Sequence, residues 1–121
     1  MSYEKKLIAC KESYPFEGWL ENGVEFEMDQ YTEESCSRAK KIMDELIDDL
    51  ITTGEQATLS ERLLLIENAV KSYNALNKQI EGLIETGERE ALCDVFENIA
   101  VAIGISPEDH DGDVTYKWRE W

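Results

Sequence analysis

A chain of 121 residues with one histidine, two prolines and twelve cations is poor in the parts that several kinds of chemistry need. His110 is the single imidazole, so a histidine-ligated metal centre or an acid–base dyad has little to draw on, and among its acidic neighbours it reads as a titrating surface residue. There is no glycine-rich phosphate loop, no G-x-S-x-G elbow and no H-E-x-x-H pair. The three cysteines, Cys10, Cys36 and Cys93, are odd in number and far apart, so they make neither a disulfide framework nor a Cys-x-x-Cys clip. Cys36 and Cys93 fall on apolar stripes and read as buried thiols. Apolar runs are short. Leu7 to Cys10 is too brief for a signal-peptide core, and Leu63 to Ile66 and Ile99 to Ile105 fall far below a membrane span, so the chain reads as cytoplasmic.

The scarcest component is positive charge. Twenty-seven acids against twelve cations leave a formal charge of -15, and no Lys or Arg occurs between Glu12 and Ser37, where eight acids fall. An acidic surface repels nucleic acid and anionic membranes and draws basic proteins at rates that salt lowers. Disorder is excluded by the 42% apolar content and the eleven aromatics. The expectation is one domain over residues 1–121.

The fold reads as all-α, with a three-helix antiparallel core over about 33–53, 58–86 and 88–104. In the first helix Cys36, Ala39, Met43, Leu46 and Leu50 recur at spacings of three and four, between Thr32 as N-cap and Gly54 as stop. The second opens on the capping box Thr58 to Glu61 and carries Leu59, Leu63, Ile66, Val70, Tyr73 and Leu76 on one face. Whether it runs unbroken is left open by Gly82 and by Ser72 to Asn74, and Gly87 reads as its end. Leu92, Val95, Phe96 and Ile99 mark the third. Leu50-Ile51-Thr52-Thr53-Gly54-Glu55 and Leu83-Ile84-Glu85-Thr86-Gly87-Glu88 look alike and read as two equivalent helix-capping turns. Before the core lies an irregular aromatic segment, with Asn22-Gly23 suggesting a small hairpin arm; after it come a turn at Ser106-Pro107 and a tail.

Two constellations suggest binding. Asp109, Asp111, Asp113 and Glu120 reproduce the carboxylate spacing of a calcium loop, but Val114 stands where that loop needs glycine, so a solvated acidic turn is the better reading and no cofactor is expected. Asp44, Glu45, Asp48 and Asp49 form like-charge pairs near a helix C-terminus, where the dipole prefers cations. Such acids work against the helix that carries them, as expected of a surface kept for binding. Aromatics outside the helices, Tyr14, Phe16, Trp19, Trp118 and Trp121, are candidate interface anchors or covers for the bundle ends. The candidate partner-binding residues are therefore Glu17, Trp19, Glu21, Glu25, Glu27, Asp29, Asp44, Glu45, Asp48 and Asp49.

The small, acidic, helical character of the chain, with Leu83-Ile84-Glu85-Thr86-Gly87-Glu88-Arg89-Glu90 before the last helix and Trp118-Arg119-Glu120-Trp121 at the end, resembles the immunity proteins of bacterial contact-dependent inhibition and polymorphic toxin systems. That resemblance implies a non-enzymatic inhibitor that binds a basic toxin domain, often a nuclease, and blocks it. Such proteins share no binding motif, so the resemblance assigns no residue a role. Other classes remain open: a calcium-responsive helical protein using residues 109–120, or an adaptor that dimerises through its aromatic ends.

Overall fold

The computed structural model describes residues 2–106 and 113–121, and among them there are helices and turns but no strand. A short helix α1 (Tyr3–Ala9) runs into a single 3-10 turn (Cys10–Ser13); α2 (Phe16–Glu25), α3 (Glu33–Thr53), α4 (Leu59–Gln79) and α5 (Thr86–Ala102) follow. No helix of the described residues is long and apolar enough to cross a membrane.

The starts of these helices are written in their caps. Ser2 accepts from the Lys5 N–H at 3.1 Å, and Thr58 accepts from the Glu61 N–H at 3.1 Å. At α3, Thr32 Oγ1 accepts from the Ser35 N–H at 3.1 Å while the Thr32 N–H donates to Ser35 Oγ at 2.8 Å, so two donors that helix geometry would orphan are satisfied reciprocally. Gly54, at φ 87°, ends α3 where the sequence places its stop.

The expected helix over 58–86 is cut short. α4 ends at Gln79, and Gly82 takes φ 77°, a backbone state that glycine adopts without strain. Ser72 to Asn74 stay helical. Leu83 and Ile84 then turn inward and become buried. Their backbone is held from two sides: Asn77 Oδ1 accepts from the Ile84 N–H at 2.9 Å, and the Tyr31 hydroxyl donates to the Leu83 carbonyl at 3.0 Å. Gly87 consequently starts a helix instead of ending one, lying in the first turn of α5 with Glu85 as N-cap.

The core is wider than three helices. Ile47, Leu50, Ile66, Val70, Phe96 and Ile99 are wholly or almost wholly enclosed, as the periodicity requires, but Leu7, Cys10, Phe16, Trp19 and Tyr31 are buried in the same cluster. The segment expected to be irregular is thus helical and half of it faces inward. α1 packs against both α3 and α5, α2 lies along α3, and α3 lies along α4. The buried Tyr73 hydroxyl donates to the Ala39 carbonyl at 2.6 Å, tying α4 to α3. Leu59 departs from its stripe and stays half exposed.

The tail closes over α4. Asn74 donates to the Trp118 carbonyl at 2.8 Å and accepts from the Glu120 N–H at 2.9 Å, so one buried amide holds the backbone on both sides of Arg119. The Trp121 ring meets Tyr73 edge-on at 6.4 Å. The expected helical turn at 106–109 lies largely outside the described residues.

Candidate protein-binding surface

α2 carries the candidate surface, and its sequence explains why it is helical. Phe16, Trp19, Leu20 and Gly23 stand at i, i+3, i+4 and i+7, the spacing of one helix face, and Glu17 in the first turn favours the helix dipole. Phe16 and Trp19 are buried and stacked edge-on at 5.2 Å, and Trp19 meets Tyr31 at 6.0 Å. Trp19 is therefore part of the core and not an exposed anchor, a correction to its place among the candidate contacts.

The Asn22-Gly23 pair makes no hairpin. Gly23 is inside the helix, and a methyl group there would sit 2.3 Å from the Tyr31 carbonyl oxygen and 2.8 Å from Tyr31 Cβ. Glycine is required because the returning chain lies directly on it. The return carries the long bond of a Schellman turn: after a last helical bond from the Phe26 N–H to the Asn22 carbonyl at 2.9 Å, Glu27 adopts φ 52° and the Met28 N–H donates to the Gly23 carbonyl at 3.0 Å. Glu27 is the one non-glycine residue with positive φ among those described.

With one face of α2 docked, the other is left to solvent. Glu17, Glu21 and Glu25 follow one another at i, i+4 and i+8, and all three are exposed, as are Glu27 and Asp29 just beyond. Like charges at this spacing cost about 0.2–0.5 kcal/mol per pair in a helix. Among the described residues none of these five acids takes part in an ion pair. Val24 is 77% and Phe26 62% exposed, large apolar side chains that alternate in sequence with Glu25 and Glu27. Exposed apolar residues are common singly, but an aromatic with a charged rim is the composition of an interface centre.

The acids of α3 have different surroundings. Asp44 is half-buried, accepts a 2.8 Å hydrogen bond from the Tyr14 hydroxyl and another from Lys40 at 2.8 Å, and lies 3.6 Å from Lys11. Burial acts to raise the Asp44 pKa, but the hydrogen bonds from Lys40 and Tyr14 and the nearby charges outweigh it and hold the carboxyl below its ordinary value. Burial, reinforced by Asp44, pushes the Tyr14 phenol far above its own. Glu45 faces Lys41 at 3.9 Å, while Asp48 and Asp49 are exposed without an ion pair among the described residues. Lys11, Lys40 and Lys41 thus stand among the α3 acids, an ion pairing that the α2 acids lack among the described residues.

The calcium spacing is spent elsewhere at its described positions. Asp113 accepts from Thr115 Oγ1 at 2.6 Å and pairs with Arg119 at 3.0 Å, and Glu120 pairs with Lys78 at 3.0 Å. Burial opposes ionisation of Asp113, yet Thr115 and Arg119 prevail and its pKa is lowered. Asp109, His110 and Asp111 lie outside the described residues. Cys10 and Cys36 are buried and Cys93 is partly so, and burial raises each thiol above its ordinary pKa, the reverse of what a reactive cysteine needs.

Sequence reasoning missed Val24 and Phe26. The spacing holds no signal for Val24, which stands four residues after Leu20 and at the edge of the same stripe, and Phe26 lies beyond the end of α2. No family model matches this chain, and no curated protein or solved structure matches it either.

Proposed function

We propose that this chain is a non-enzymatic inhibitor of the immunity type, which binds a basic partner protein, a toxin domain such as a nuclease, in the cytoplasm and blocks it. The observation that carries this reading is the solvent side of α2 and the turn that follows it, where Glu17, Glu21 and Glu25 are exposed without ion pairs among the described residues and Val24 and Phe26 are exposed as well. Acids so placed speed encounter with a cationic surface, and a desolvated aromatic slows escape. A fold that merely tolerated its surface charge would gain by placing cations at i+4 on α2, as α3 does with Lys40 and Asp44.

The test is co-expression with the product of the neighbouring reading frame. A stable complex and relief of that product's toxicity are expected. Replacing Glu17, Glu21 and Glu25 together by Lys should slow association at least about tenfold at low salt and flatten its salt dependence. Phe26→Ala should act instead on dissociation. Unchanged association rate and salt dependence in the charge-reversed variant would refute the proposal.

A further inference from the structure

Between α2 and α3 lies an open cleft of about 320 Å³ whose walls combine apolar and acidic side chains. Its lining includes Phe16, Leu20 and Cys36, contributed by both helices, together with Glu17 of α2 and Glu33 of α3. Lys40 is the one cation among its described lining residues. The ammonium of Lys40 is drawn off along α3: it is 2.8 Å from Asp44 and 5.9 Å from the centre of the Tyr14 ring. The cleft thus joins apolar wall to two carboxylates from different helices, with the Lys40 ammonium held by Asp44.

We infer that this cleft receives an arginine side chain of the basic partner, with the methylene stem on Phe16 and Leu20 and the guanidinium between Glu17 and Glu33. This rests on reading the chain as a binder of a basic protein, and it names the side chain that the binding surface selects. Three features favour arginine over other occupants. An apolar anchor would leave two carboxylates facing it, which costs desolvation without return. A lysine brings a point charge that reaches one carboxylate well, whereas the planar guanidinium has donors on several edges and spans two carboxylates from different helices. The long aliphatic stem covers apolar wall while its head stays at the carboxylates, which suits a cleft lined by Phe16 and Leu20. Glu17 belongs both to this cleft and to the ridge of Glu21 and Glu25, so a partner steered by the ridge arrives with its cations at the cleft mouth.

The probe is a capped Gly-Arg-Gly peptide titrated into isotopically labelled protein and followed by amide shifts, with lysine and citrulline peptides in parallel. The expected result is saturable, millimolar binding with shifts confined to residues around Gly18, Glu33 and Ser37. Arginine should bind at least about threefold more tightly than lysine, and neutral citrulline should not saturate. Glu17→Gln with Glu33→Gln should abolish the effect, and Lys40→Met should strengthen it. Absence of saturable shifts, equal shifts with citrulline, or shifts centred on Glu21 to Asp29 would each overturn the assignment. Glu21→Lys with Glu25→Lys separates this from the broader reading: these residues lie outside the cleft, so that variant should slow association with the basic partner yet leave peptide binding intact. A cleft that fails while the ridge variant still slows association sinks only the arginine site.

Discussion

The acids of α2 and the acids of α3 have the same side chains at the same helical spacing, yet the fold treats them in opposite ways. Asp44 in α3 is held by Tyr14, Lys40 and Lys11, and its carboxylate is a structural part that ties the first turn of the chain to a core helix. Glu17, Glu21 and Glu25 in α2 make no ion pair among the described residues, and they are exposed while the helix docks on α3. A density of negative charge is therefore not one property. The difference lies in which acids the chain answers internally and which it leaves for something else to answer.

The sharpest way to break this contrast is to undock α2. Gly23→Ala puts a methyl group on the Tyr31 carbonyl, where neither backbone can yield cheaply, and should cost about 2–3 kcal/mol of stability in denaturant unfolding. Gly18→Ala is the matched control, since a methyl there meets nothing within 4 Å, and in a helix interior it should stabilise by about 0.5–1 kcal/mol. Equal effects from the two would mean that α2 is not seated on Tyr31 in solution.

A smaller effect separates the two acid groups directly. Asp44→Asn loses the charge that Lys40 and Lys11 face and weakens the Tyr14 hydrogen bond, and should cost about 1–2 kcal/mol at neutral pH. Replacing Glu17, Glu21 and Glu25 by Gln should leave stability unchanged or raise it by up to about 0.5 kcal/mol, by relieving like-charge pairs. The acid limb gives an independent check. Asp44 has a pKa below its unfolded value, so its contribution is present above the ordinary aspartate range, about 3.9, and is lost as pH falls through the lower folded value. The wild-type protein should lose its advantage over Asp44→Asn across that window, and a difference that persists undiminished at lower pH would show that the charge is not the cause. Asp113, held down by Thr115 and Arg119, should add a second loss of the same sign.

Much of the helical fold was legible because long helices repeat their signal. α3 runs over 33–53 as its stripe and caps require, and about six helical turns of agreement override any single residue. α2 was not legible as a helix because it is short, follows Pro15 and contains two glycines, so its face of Phe16, Trp19, Leu20 and Gly23 is outweighed by local turn signals. The two similar hexapeptides show the same limit from the other side. Leu50 to Glu55 ends a helix and Leu83 to Glu88 begins one, although they differ at one position, Thr52 against Glu85. The decision is made outside them: Gly82 stops α4 just before the second copy, while nothing precedes the first to stop α3. Burial of Leu83 and Ile84 under Tyr31 then needs a residue 52 positions away, which no local pattern contains. The candidate surface was legible as charge but not as placement, since which acids find cations depends on the packing of Tyr14, Lys11 and Lys40.

The finest test concerns how α2 ends. α5 closes with the same long bond: the Ile105 N–H donates to the Ala100 carbonyl at 2.9 Å, and the left-handed position is Gly104 at φ 88°. α2 puts Glu27 in that position at φ 52°, where an L side chain crowds its own backbone at a cost of about 1 kcal/mol. Glu27→Gly should therefore stabilise the protein by about 0.5–1 kcal/mol, part of the relief being offset by the extra freedom glycine has when unfolded. Glu27→Asn removes the charge while tolerating the left-handed backbone, and should fall between the two. If stability rises in both variants while association with the basic partner slows, the strain is retained because the carboxylate beside Phe26 is used in binding. If stability does not rise, the left-handed turn is not strained, and Glu27 differs from Gly104 only in sequence.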